Sequence, residues 1–344
     1  MTYDLVCIGA GPTGLATAIE ARRAGLRPLV IDKGCLCNSL FHYPTNMLFF
    51  TTPERMEIGD LPLTTSAGKP TRQEALKYYR RAAEHYALET RLYERVTAVD
   101  GQDGNFTIVT EPAPSAAEAA GSRAPARYQA RKIVVATGYY DQPNLLGIPG
   151  ENLPHVSHYY GEAHPCWDRD VVVVGAKNSA AEAALDLFRA GARVTLVHRG
   201  PGLGASLKYW VRPDIENRIR AGEIRAEFHA HLTKIEPDHI WVRSNGSERT
   251  LQAERVFALT GYHPDFDFLL QLGVELQPEA RRPRTNPDTL ETNVPGLYLA
   301  GVLIGGEETG EIFIENGRFH GKKIVAALTG GRVAGAEPHA APGE

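Results

Sequence analysis

The residues with the plainest chemical purpose are three glycines near the N-terminus. Gly9, Gly11 and Gly14 stand as G-x-G-x-x-G directly after a short apolar run that reads as a strand over residues 3–8. Gly9 permits a tight turn, Gly11 lets the backbone approach a pyrophosphate, and Gly14 lets the following helix pack closely on the strand. Together with Pro12 and Thr13 they open a helix whose free N–H groups point at phosphate oxygens. Asp32 lies 23 residues after Gly9 and is followed by Lys33. A carboxylate there accepts hydrogen bonds from ribose hydroxyls.

A second turn repeats the plan with different chemistry. Gly175-Ala176-Lys177-Asn178-Ser179-Ala180 follows an apolar strand over 171–174 and opens a helix over about 180–190. Ala180 is tolerated as the closing residue of such a turn, and the Lys177 ammonium is able to pair with phosphate. His198 lies 23 residues after Gly175, in the place Asp32 holds in the first unit, with Arg199 beside it. A carboxylate at that spot repels a 2′-phosphate, whereas a histidine and a planar guanidinium attract one. The second site is therefore expected to take NADPH rather than NADH.

The elements that must carry these turns also come in two sets. Each set has strand, helix and strand, then a small antiparallel excursion, then a strand ending in Thr-Gly: Thr137-Gly138 in the first, Thr260-Gly261 in the second. The expected fold class is α/β, with two Rossmann-like dinucleotide-binding domains of three-layer ββα design, the second inserted in the first. Domain ranges are expected at 1–150, 151–262 and 263–332, with a flexible tail over 333–344. Residues 111–127, rich in Ala, Pro, Ser and Glu, read as a solvent loop.

With 344 residues, 43% of them hydrophobic, the chain has ample material for a core, and its net charge is −4. No basic stretch suits a phosphate backbone, so no nucleic-acid partner is expected. No run of about 18 apolar residues exists, so no membrane span is expected. The N-terminus lacks a signal-peptide pattern, and the four cysteines fit neither a disulfide scaffold nor a zinc site. A reduced cytoplasmic setting and no metal are the expectations.

Three segments then resemble the thioredoxin-reductase type of flavoprotein: Val134-Val135-Ala136-Thr137-Gly138, Leu259-Thr260-Gly261-Tyr262-His263-Pro264, and Thr292 through Gly301. In that pattern an Asp follows the last Gly, where Val302 stands here. Longer stretches are similar to the bacillithiol disulfide reductase family: Lys33 through Phe50, Gly175 through Ala180, Leu207-Lys208-Tyr209-Trp210 with Pro213-Asp214, and Ile314 through Gly321. The resemblance implies FAD in the first domain, NADPH in the inserted one, and reduction of a low-molecular-weight disulfide such as that of bacillithiol. It further implies that His42 and Asn46 lie near the flavin ring, that Gly301 lines the ribityl chain, and that Ile312 and Phe313 sit where the last helix opens. A homo-oligomer is expected on the same ground.

The redox cysteines of the wider superfamily are missing. The C-x-x-C position of thioredoxin reductases falls on His158-Tyr159-Tyr160-Gly161, and the family's glycine-turn cysteine is replaced by Thr13. The remaining candidates for disulfide exchange are Cys35 and Cys37, too close in sequence for an unstrained mutual disulfide. His42, His164 and His320 are candidate proton donors. The competing readings are a ferredoxin- or flavodoxin-NADP reductase, passing electrons to a small electron-transfer protein without any thiol, and a flavin-based redox sensor.

Overall fold

A computed structural model describes residues 1–113 and 124–331. From the N-terminus come β1 (Thr2–Ile8), α1 (Pro12–Arg23), β2 (Pro28–Asp32), α2 (Asn38–Phe41), α3 (Arg72–His85), β3 (Glu89–Leu92), β4 (Glu94–Gln102), β5 (Asn105–Pro112) and β6 (Ala126–Val135). Next are β7 (Val156–Ser157), β8 (Asp170–Val174), α4 (Asn178–Arg189), β9 (Arg193–Val197), α5 (Arg212–Arg220), β10 (Arg225–Glu227), β11 (Ala230–Ile235), β12 (His239–Ser244), β13 (Ser247–Gln252) and β14 (Arg255–Ala258). The chain closes with α6 (Phe266–Gln271), β15 (Leu297–Leu299), α7 (Ile314–Gly317) and α8 (His320–Leu328).

The chain divides into two compact units. One holds Met1–Phe41, Met47–Gln142 and the described residues from Tyr262 on; the other holds His42–Asn46 and Pro143–Gly261. The second unit begins at Pro143 rather than at residue 151 because the intervening residues pack on its strands. Leu146 and Ile148 lie against its core, and the Ile235 N–H donates to the Pro149 carbonyl at 2.9 Å.

In the first unit β3, β2, β1, β6 and β15 run parallel, and β4 and β5 continue antiparallel from the first half of β6. Side chains alternate across a strand, and β1 shows the consequence. Leu5 and Cys7 pack with Ala18 and Ala21 of α1 and Ile324 and Val325 of α8. Val6 and Ile8 face the other way, with Phe106, Ile108, Phe266 and Leu269. A strand buried on both faces must read as a continuous apolar run, which is why this one is visible in sequence.

The second unit repeats the scheme with a parallel sheet in the order β10-β9-β8-β14-β7. Val171 and Val173 pack under α4 and α5, against Ala184, Leu187 and Ile215. Val172 and Val174 pack under the separate sheet β11-β12-β13, against Leu232, Ile240 and Val242. Helices on one face and a small antiparallel sheet on the other give the three-layer arrangement read from sequence.

Two expectations need correction. Residues 111–127 are not all loop: Glu111 and Pro112 end β5, Ala126 and Arg127 begin β6, and 114–123 lie outside the described residues. The last helix does not open at Thr309–Phe313. Phe313 is extended (φ −126°, ψ −171°) and caps the one-turn α7, and α8 starts only at His320. Gly317 ends α7, and a Cβ there would stand 3.1 Å from the Thr13 hydroxyl. The tail over 333–344 lies outside the described residues.

Candidate functional site

The first glycine turn is shaped by two prohibitive contacts and one open space. A Cβ on Gly9 (φ +115°) would come within 2.4 Å of the Ala136 carbonyl, and one on Gly14 within 2.0 Å of the Gly9 carbonyl. β1, α1 and the end of β6 therefore meet more closely than any side chain allows. Gly11 differs, since nothing lies within 4 Å of where its Cβ would be. Its lack of a side chain leaves room for something outside the protein. Gly11 is also the N-cap of α1, makes no side-chain cap, and is followed by Pro12. The first-turn N–H groups are thus left for an anion. These are the features a dinucleotide pyrophosphate requires.

Asp32 at the end of β2 accepts the Ala10 N–H at 2.7 Å and the Gly34 N–H at 2.8 Å, one on each carboxylate oxygen. It fastens the turn while leaving a lone pair on each oxygen for a ligand hydroxyl. Burial raises its pKa against the opposing pull of those two amides. Lys33 pairs with Asp141 at 3.0 Å. Thr137 backs onto Gly9, and Gly138 turns with φ +71°.

Thr13 lies where Gly301 and Gly317 converge, with their Cβ positions 3.4 and 3.1 Å from its side chain, and Ile312 borders the same spot. The Gly301 N–H donates to Nδ1 of His320 at 3.0 Å. Burial pushes the His320 pKa down to about 4, so the ring is neutral and its proton resides on Nε2. His320 is therefore an anchor for the Gly301 backbone. Phe313 is exposed. His42 and Asn46 are both exposed and belong to the stretch that packs with the second unit, where the Thr45 N–H donates to the Gly161 carbonyl at 2.9 Å.

All four cysteines are unpaired. Cys7 is fully buried and its thiol is pushed up to about 12. Cys37 is also fully buried, in a left-handed conformation (φ +55°), with its N–H on the Ala10 carbonyl. Burial, then the charge of Asp32, raises its thiol well above the ordinary value. Cys166 is buried. Cys35 has partial solvent access; its sulfur lies 3.6 Å from Oδ1 of Asn38, and burial followed by Asp32 raises its pKa. None of the four is held as a thiolate, the form that attacks disulfides.

In the second unit, a Cβ on Gly175 (φ +133°) would lie 2.5 Å from the Leu259 carbonyl and 3.1 Å from the Ala180 methyl, so that turn is as tight as the first. Lys177 is the N-cap of α4 and its side chain is exposed. Asn178 is engaged: Oδ1 accepts the Lys208 N–H at 2.9 Å and Nδ2 donates to the Ser206 carbonyl at 3.3 Å. It secures the 204–208 loop over the turn, while Ser179 stays exposed. At the end of β9, the His198 ring lies over Gly200 and its pKa is lowered by partial burial and by Arg199. Arg199 is exposed. The Arg199 guanidinium thus stands at the strand end beside the His198 ring, with Lys177 at the turn of the same unit.

One residue escapes the sequence reading. Glu182 lies one turn beyond Asn178 on α4, and burial pushes its carboxyl up to about 7, with Lys208 pulling the other way. Its signal is a single acid in the alanine-rich stretch Ala180–Ala184.

Comparison with known proteins bears on this arrangement. A family model described as pyridine nucleotide-disulphide oxidoreductase matches residues 6–301. The bacilliredoxin reductase Bdr of Bacillus subtilis (strain 168) is 44% identical over 324 residues, which is 94% of this chain and 96% of that protein. The solved structure of bacillithiol disulfide reductase Bdr from Bacillus cereus superposes with a TM-score of 0.91 at 42% identity, covering 96% of this chain and 99% of that one. Thioredoxin reductase from T. acidophilum superposes at 0.72 with 21% identity over 96% and 98% of the two chains, a likeness of fold.

Proposed function

This chain belongs to the bacillithiol disulfide reductase family of pyridine nucleotide-disulphide oxidoreductases, and from that premise we propose that it uses NADPH and FAD to reduce a low-molecular-weight disulfide. The observation that carries the reading is the contrast between two equivalent turns. One ends in a carboxylate tied to the turn, Asp32, and the other in the His198 imidazole and the Arg199 guanidinium.

The first unit takes FAD. Gly9, Gly11, Pro12, Thr13 and Gly14 receive the pyrophosphate, Asp32 the ribose, and Thr137, Gly138, Gly301, Ile312 and Phe313 the rest of the cofactor. Bound FAD supplies a two-electron relay between nicotinamide and disulfide. The inserted unit takes NADPH, with Lys177 on the phosphates and His198 and Arg199 on the 2′-phosphate. Glu182 lies on the same helix as the turn, and with burial pushing its carboxyl up to about 7 it keeps a proton to donate through a good part of the neutral range. In net terms one NADPH and one proton convert one disulfide to two thiols.

Cys35 is the thiol assigned to exchange, because it alone of the four has more than marginal solvent access. Cys37 lies behind it, and His42 is the assigned proton donor. Protonated thiols and a threonine at the glycine turn also favour a second reading, in which the acceptor is reduced without covalent capture. The test is the ratio of thiol released to NADPH consumed, using bacillithiol disulfide with the wild type and with Cys35→Ser. Two thiols per NADPH supports the function. Loss of turnover in Cys35→Ser supports exchange, and unchanged turnover supports the second reading. Consumption of NADPH with ferredoxin but not with the disulfide contradicts the assignment.

A further inference from the structure

A cleft of about 490 Å³ opens in the first unit between the start of β4 and α6. Its walls include Arg95, Gln142, His263, Phe266, Phe268 and Arg281, and none of the first glycine turn's residues. We propose that it binds a small aromatic carboxylate, which goes beyond the activity above.

Arg281 carries most of the case. Its guanidinium stacks on the Phe266 ring at 3.9 Å, and the His263 ring lies parallel to the same phenyl at 5.6 Å. No carboxylate among the described residues lies within ion-pair distance of Arg281 or Arg95, although two aspartates line the cleft. Asp265 is already committed: one oxygen caps α6 through the Phe268 N–H at 3.0 Å and the other accepts Nε2 of Gln142 at 3.3 Å. Asp267 is exposed. A stacked guanidinium keeps its N–H edge free, and that edge is a fork matched to a planar carboxylate. Phe268 and Val96, both partly exposed, offer an apolar wall for a flat ring.

The backbone points the same way. Ala280 (φ +52°) and Arg281 (φ +45°) are consecutive left-handed residues at the tip of a turn, closed by the Arg282 N–H on the Glu279 carbonyl at 3.4 Å. Such paired positions favour Asn and Gly. The tip is held down from outside. The Glu307 N–H donates to the Ala280 carbonyl at 2.7 Å, a Cβ on Gly306 would stand 2.2 Å from that carbonyl, and Arg282 pairs with Glu308 and with Glu311. The surroundings thus fix the turn that presents Arg281 to the cleft.

The test uses the flavin-loaded protein and benzoate as probe, followed by ligand-observed NMR titration, with benzamide as the uncharged ring of the same shape. Expected are saturable benzoate binding at a dissociation constant of about 1 mM or below and at least tenfold weaker binding by benzamide. Arg281→Gln is expected to lose benzoate at least tenfold while still bleaching with NADPH, which separates this site from the flavin assignment. Arg281→Gly relieves the turn and is expected to melt at a higher temperature with no benzoate bound. Failure of benzoate to saturate, equal binding of benzamide, or wild-type affinity in Arg281→Gln overturns the proposal.

Discussion

At the scale of single residues, charge decides the two most direct tests. Arg199 is exposed at the end of β9. Arg199→Ala is expected to weaken NADPH at least tenfold and NADH by less than threefold, read as dissociation constants in equilibrium titrations. Equal loss for both nucleotides removes the 2′-phosphate assignment. Glu182 offers a test in pH. Its folded pKa of about 7 lies above the ordinary value of 4.5. The folded chain therefore holds a proton that the unfolded chain has released between those values. Stability from this group is full below about pH 4.5 and is lost as pH rises through about 7. Glu182→Gln is expected to match the wild type in urea unfolding at pH 4.5 and to exceed it by about 3 kcal/mol at pH 8. No gain at pH 8 contradicts the buried-acid description.

At the scale of elements, the first turn separates stability from binding. Gly14→Ala forces a methyl to within 2.0 Å of the Gly9 carbonyl, and is expected to cost about 2–3 kcal/mol or more as well as FAD. Gly11→Ala meets no atom within 4 Å. It is expected to leave apoprotein unfolding within about 0.5 kcal/mol of wild type while FAD affinity falls at least tenfold, measured by flavin fluorescence on titration. Loss of apoprotein stability with FAD affinity intact reverses that assignment. Much of this was legible in sequence, because strands buried on both faces, β1, β2 and β8, must carry apolar runs, and turns this tight must be glycine. Helix α3 was less so. Its capping box stands in plain view, Thr71 accepting the Glu74 N–H and Glu74 the Thr71 N–H. Its buried face is made of Ala75, Tyr78, Tyr79 and Ala82, which gives weak apolar periodicity. Thr71→Ala is expected to cost about 1 kcal/mol in thermal or urea unfolding. The close approach of Gly317, the last residue of α7, to Thr13 is a long-range contact that no local pattern encodes. Arg281 was hidden for the same reason: neither its stacking partner Phe266 nor its left-handed backbone has a signature within reach of a short window.

At the scale of the whole molecule, one three-layer plan is used twice, and the difference between its two copies defines the reaction. The repeat itself was legible because strand–turn–helix–strand recurs with the same 23-residue interval from first glycine to charged residue. Under the proposed function, electrons pass from NADPH at the second copy to the flavin at the first. The decisive measurement is spectral. The purified protein is made anaerobic, one equivalent of NADPH is added, and the flavin absorbance near 450 nm (roughly the usual flavin band) is followed before and after bacillithiol disulfide is mixed in. The expected result is bleaching by NADPH, little bleaching by NADH at the same concentration, and full return of colour with two thiols formed per flavin. A protein that stays yellow with NADPH, or bleaches and is not reoxidised by the disulfide, contradicts the proposed function.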